Sequence, residues 1–121
     1  MRDNGGAAQP YFEQSRDLAG QADDKLTLSY ALRHLGFAAQ AAGKLDQAQA
    51  LLQESADLRQ QIGFMPGVAA NLVALAYLAS EQGRRDDALA LAEQAAAIAQ
   101  ASDARGTLRW ADQARAHLQS G

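Results

Sequence analysis

Two histidines, two pairs of neighbouring aspartates and a few serines are the side chains best suited to proton transfer, nucleophilic attack or metal binding in this 121-residue chain. None has the company such chemistry needs. His34 and His117 have no Cys in the chain to join them, and no His or Glu three or four residues away, so each reads as a half-exposed helix residue rather than a ligand or base. Asp23-Asp24 and Asp86-Asp87 stand where helices are expected to start, and the helix dipole accounts for them. Gly5-Gly6 is an isolated pair with no strand after it, so it is no phosphate loop. The serines lack the nucleophile-elbow pattern. With no cysteine, disulfides and thiolate metal sites are excluded. The chain is expected to be no enzyme and to need no cofactor or metal.

What remains is the capacity to bind. Net charge is −3, and Lys and Arg are scattered singly except at Arg84-Arg85, which argues against a nucleic-acid or anionic-membrane surface. The opening MRDNGGAAQPYF has no apolar core of a signal peptide, and the run 68–79 is too short to span a bilayer and is broken by Asn71. A cytoplasmic protein is the expectation.

The elements that must carry any binding residue are helices. The chain has 29 alanines against 7 aromatic residues and only 2 prolines. Alanine is the best helix former and lets helices approach closely. Its length suits one domain. Residues 1–9 show no periodicity and read as a disordered arm, leaving a helical domain over 10–119. Apolar spacing and turn residues predict about six helices: 10–22, 25–42, 45–62, 66–82, 85–101 and 104–119. Asp23 or Asp24 should cap the second and Asp103 the sixth. Gly43, Gly63 and Gly83 end helices, with positive φ expected at Gly43 and Gly83. Leu28, Leu32, Leu35 and Ala39 form one inward stripe; Ala48, Leu51, Leu52, Ala56 and Leu58 form the next. The helix at 66–82 is apolar or small on every face except at Asn71, so other helices must cover it on several sides.

A shift of forty residues lays the chain on itself without a gap. Leu32 meets Leu72, Leu35 meets Leu75, Gly43 meets Gly83, Ala48 meets Ala88 and Leu51 meets Leu91. Leu18, Leu58 and Ile98 align, as do Leu28, Val68 and Leu108. Such periodicity means a solenoid of helical hairpins. Small residues at Gly36/Ala76 and Ala48/Ala88 are needed where paired helices cross.

The signature Leu35, Gly36, Gly43 and Ala48, repeated as Leu75, Ala76, Gly83 and Ala88, resembles that of tetratricopeptide repeats, over about 10–119. The family's large aromatics are replaced by Leu32, Leu72, Ala39 and Ala79, and the period exceeds the usual 34 residues. This long-period variant is similar to helical arrays of large bacterial regulators. The resemblance implies an all-α, right-handed solenoid of antiparallel hairpins that binds protein or peptide partners on its concave face. A second stripe, rotated from the core stripe, then maps to the groove: Tyr30, Arg33, His34 and Phe37 in one helix, Val73 and Tyr77 in the next like helix, and Trp110, Gln113 and His117 in the last. Aromatics there suit binding, since they bury much area at little entropic cost; the other reading packs them as core. Family members that clamp a terminal carboxylate need Lys, Arg and Asn in the groove. Arg33 matches one such position, but Phe37, Ala74, Trp110 and Ala114 replace others, so that clamp is absent.

Hairpins of this family run first helix then second, yet this chain opens on a second-type helix and ends on a first-type one. Tyr11, Phe12 and Leu18 at one end, and Leu108, Trp110 and Leu118 at the other, are therefore candidates for self-association. Either the chain is a piece of a longer array or its ends assemble, and a homodimer is the expectation. The leading expectation is a non-catalytic scaffold for a protein or peptide. A structural oligomerisation element, and a sensor whose groove closes on a small molecule or signal peptide, are the alternatives.

Overall fold

The computed structural model describes residues 24–120, which form α1 (Lys25–Ala41), α2 (Leu45–Gln61), α3 (Met65–Glu81), α4 (Arg85–Ala101) and α5 (Arg105–Ser120). The arm 1–9, the expected helix 10–22 and Asp23 lie outside them. The fold is all-α, a helical repeat. Two compact units divide at Gly63, one ending at Ile62 and the other running to the C-terminus.

The helices start at Lys25, Leu45, Met65, Arg85 and Arg105, and short turns separate them. Gly43, Gly63 and Gly83 have φ of 79°, 76° and 79°, the left-handed region that glycine enters without steric cost. Backbone N–H groups of Lys44, Arg84 and Ala104 donate to the carbonyls of Ala39, Ala79 and Ala99 at 2.8–2.9 Å, which satisfies carbonyls that a helix end leaves open. The fourth turn corrects an expectation. Asp103 does not cap α5; it holds the left-handed position itself, at φ 55°, because it stands where the other turns place glycine. Asp24 does cap α1: its carboxylate accepts from the Thr27 N–H at 3.0 Å and from the Thr27 hydroxyl at 2.7 Å. Those two bonds hold the Asp24 carboxyl below its usual range. Helix α3 opens at Met65, one residue before Pro66, with Phe64 as its N-cap.

In the first unit α1 packs on α2. Leu32, Leu35 and Ala39 of α1 and Ala48, Leu52 and Ala56 of α2 are buried, while Leu28, Leu51 and Leu58 are only half-buried. The crossing is tight. A Cβ placed on Gly36 would stand 2.9 Å from Leu52 Cγ, so glycine at this position lets the leucine in. In the second unit α3 is packed by both α4 and α5. Every residue from Asn71 to Ala76 is buried, more than one full turn, which is what an apolar circumference requires.

Candidate interaction surface

The groove stripe of α1 is largely on the surface. Tyr30 is 44% exposed, Phe37 36% and Leu26 43%, and Arg33 lies between them half-buried. Positions 26, 30, 33 and 37 follow the four-three-four spacing that keeps side chains on one helix face. His34 is exposed beside them. The Arg33 guanidinium carbon sits 4.7 Å from the Phe37 ring centroid, a cation–π stack within the helix.

A second arginine, from α2, reaches the same surface from beneath. Arg59 is 2% exposed, and its guanidinium carbon lies 4.6 Å from the Tyr30 ring centroid. Its Nε donates to Ser29 Oγ at 3.1 Å, and Ser29 Oγ donates to the Leu26 carbonyl at 2.7 Å. Ser55 Oγ donates to the Ser29 carbonyl at 2.6 Å. Buried polar groups need partners, and these bonds supply several of them between α1 and α2. Burial first, and the nearby charge of Arg59 second, pull the Arg33 pKa down to about 10. Arg59 is lowered too, by burial first. Arg33 still carries its proton at neutral pH, since its pKa lies well above 7.

The groove residues of the second unit fare differently. Val73 is fully buried, which corrects its assignment to an open groove: α3 is packed by α4 and α5, and its apolar residues turn inward on every side. Ala74 and Ala114 are buried as well. Tyr77 and Trp110 are half-buried, and Gln113 and His117 are exposed. Tyr77 and His117, forty residues apart, do come together, with ring centroids 6.1 Å apart and planes at 42°. Leu118, expected at a self-association face, is 4% exposed because it continues the inward stripe of Ala111 and Ala114. Leu108 remains half-buried, on a shallow depression of about 460 Å³ that it shares with Arg105, Arg109, Asp112, Gln113 and Ala116. Tyr11, Phe12 and Leu18 lie outside the described residues.

Sequence reasoning missed Leu26, Ser29, Ser55 and Arg59. The signal was present, since each polar member of this set stands forty residues before an alanine: Ala69, Ala95 and Ala99.

A family model for the tetratricopeptide repeat matches residues 27–101. The chain belongs to the tetratricopeptide repeat family. The match takes in the signature residues Leu35, Gly36, Gly43 and Ala48 and their second copy. The comparison with curated proteins yields no match. Tetratricopeptide repeats generally mediate protein–protein interaction and are typically non-catalytic, which places this chain among interaction modules. Among the described residues no group of three or more His, Cys, Asp or Glu is placed to hold a metal ion, and no helix is long and apolar enough to cross a membrane.

Proposed function

We propose that this tetratricopeptide repeat chain is a non-catalytic scaffold that binds a protein or peptide on the α1 face. The observation that carries this reading is the exposed stripe Leu26, Tyr30 and Phe37, three large apolar side chains in line on one helix. Stacked guanidiniums on both rings favour it further, because they hold the rings in fixed orientations before a partner arrives. The net charge of −3 speaks for a protein partner over nucleic acid or an anionic membrane.

Partner capture with the immobilised chain tests it. Tyr30→Ala and Phe37→Ala are each expected to weaken capture about tenfold or more while leaving the circular dichroism of the helices unchanged. Equal capture by both variants would move the binding surface elsewhere.

A second reading, homodimerisation through the outer side of α5, is favoured by the depression around Leu108 and by half-buried Trp110. Light scattering at tens of micromolar separates the two: a monodisperse monomer removes the dimer.

A further inference from the structure

Helix α5 keeps the register of α1 and α3 and lacks their cover. It packs on α3 and α4, and Ala111, Ala114 and Leu118 are buried. Positions 112, 115, 116 and 119 stand forty residues after Leu72, Leu75, Ala76 and Ala79, and eighty after Leu32, Leu35, Gly36 and Ala39, all of them buried. In α5 these positions turn outward. Asp112, Ala116 and Gln119 are exposed and Arg115 is half-buried, so among the described residues no second-type helix lies on this face. Depressions of about 460 Å³ and about 390 Å³ flank it, and Leu108 and Asp112 line both.

The stretch 8–21, ahead of the described residues, carries the pattern of a second-type helix. Laid on α2, it repeats Ala48 as Ala8, Ser55 as Ser15 and Leu58 as Leu18, with Phe12 where Leu52 stands. Resting on the second reading above, association through α5, we propose that residues 8–21 of a second copy occupy this face, so that copies stack end to end and complete one hairpin between them.

The contacts between α1 and α2 name the pairs. A Cβ on Gly36 would stand 2.9 Å from Leu52 Cγ, so the matching pair across the joint is Ala116 and Phe12, again a small residue against a large one. Ser55 Oγ donates to the Ser29 carbonyl at 2.6 Å. Ser15 brings the same hydroxyl, and its acceptor is backbone, so Arg109 in the place of Ser29 offers it equally. Arg59 bonds Ser29 at 3.1 Å in the first hairpin; across the joint Arg109 stands opposite Ala19, one arginine beside one small residue with the sides exchanged. The α5 face is polar where α1 and α3 are apolar, which keeps a free copy in water and makes the joint one that opens. Asp112 and Arg115 pair with each other at 3.0 Å, so an arriving helix covers a neutral pair instead of a lone charge.

Disulfide trapping tests the pairing. The chain has no cysteine, so Phe12→Cys and Ala116→Cys give two full-length proteins with one thiol each. Mixed and oxidised, they should cross-link to each other far more than either does to itself, since the equivalent positions 36 and 52 lie close enough to bridge. Light scattering on the unmodified chain should show a mass that rises with concentration. Phe12→Asp should weaken that association about tenfold or more with the helical circular dichroism unchanged. Asp112→Leu, which copies Leu32 and Leu72, should tighten it. Should Phe12→Cys disturb the fold, Ala8→Cys takes its place against Ala116→Cys. A monodisperse monomer at tens of micromolar overturns both this pairing and the second reading. Association with Ala116→Cys bridging to itself, or with no bridge between the mixed proteins, leaves a dimer standing and overturns the end-to-end joint. So does a bridge that closes within one copy when both cysteines are on the same chain.

Discussion

The hairpin of α1 and α2 and the hairpin of α3 and α4 are built on one plan and filled with different chemistry. From Asp46 to Gln61 and from Asp86 to Ala101, residues forty apart agree position by position in whether they are buried, half-buried or exposed. The occupants of those positions do not agree. Ser29, Ser55 and Arg59 form a hydrogen-bonded set in the first hairpin, and Ala69, Ala95 and Ala99, all fully buried, stand at the equivalent places in the second. Gly36 and Leu52 divide the space at the first crossing as nothing plus a large side chain; Ala76 and Ala92 divide the second evenly. The backbone plan therefore depends on the turns and on the summed volume at the crossing. It does not depend on polarity inside the hairpin, which leaves the first hairpin free to place a buried arginine under a surface tyrosine.

The volume half of this comparison is the easiest to break. Leu52→Ala should cost about 2–5 kcal/mol by opening a cavity at the crossing. Gly36→Ala should cost about 1–3 kcal/mol, since its methyl group would meet Leu52 Cγ at 2.9 Å. Together the two changes copy the Ala76/Ala92 solution, so the double variant is expected to be more stable than the sum of the single losses allows. Urea melts of the four proteins give that coupling directly. Strict additivity would mean that the two sites do not share one space.

The polar half is sharpened by Ser55→Ala, which removes the donor to the Ser29 carbonyl at 2.6 Å and strands a buried acceptor. A loss of about 1–2 kcal/mol is expected, measured by the same melts. Smallest are the turns, where like positions hold unlike residues. Gly83→Ala places a side chain at φ 79° and should destabilise by about 1 kcal/mol, whereas Asp103→Gly relieves φ 55° and should stabilise by a few tenths to about 1 kcal/mol. Thermal midpoints moving in opposite directions would bear this out.

Helix positions and turns were legible in the residues because spacing and glycine report local geometry. The helix expected at 85–101 is found at Arg85–Ala101, and the other described helices differ from expectation by a residue at their ends, while 10–22 lies outside the described residues. Asp103 was misread for a physical reason: aspartate is both a good N-cap and one of the few residues tolerating left-handed backbone, and composition alone does not say which role applies. Val73 was misplaced because a stripe rotated from the core stripe is a surface only when nothing packs on it, and α3 is packed by two helices. Arg59 escaped notice since a lone arginine near a helix C-terminus ordinarily faces water. Its hydrogen bond to Ser29, thirty residues earlier, and its stack under Tyr30 tie it into the interior.

Around the points where a Cβ would stand on Gly43, Gly63 and Gly83 there is nothing within 4 Å. These corners are demanding in dihedral angle and indifferent to bulk beyond it. Residues spliced in beside them would run out into water, so a fluorophore, a tag or a longer link can be carried there while the neighbouring helices keep their packing. The corners are thus the natural attachment points for following this chain at work, and the places where its length is freest to change.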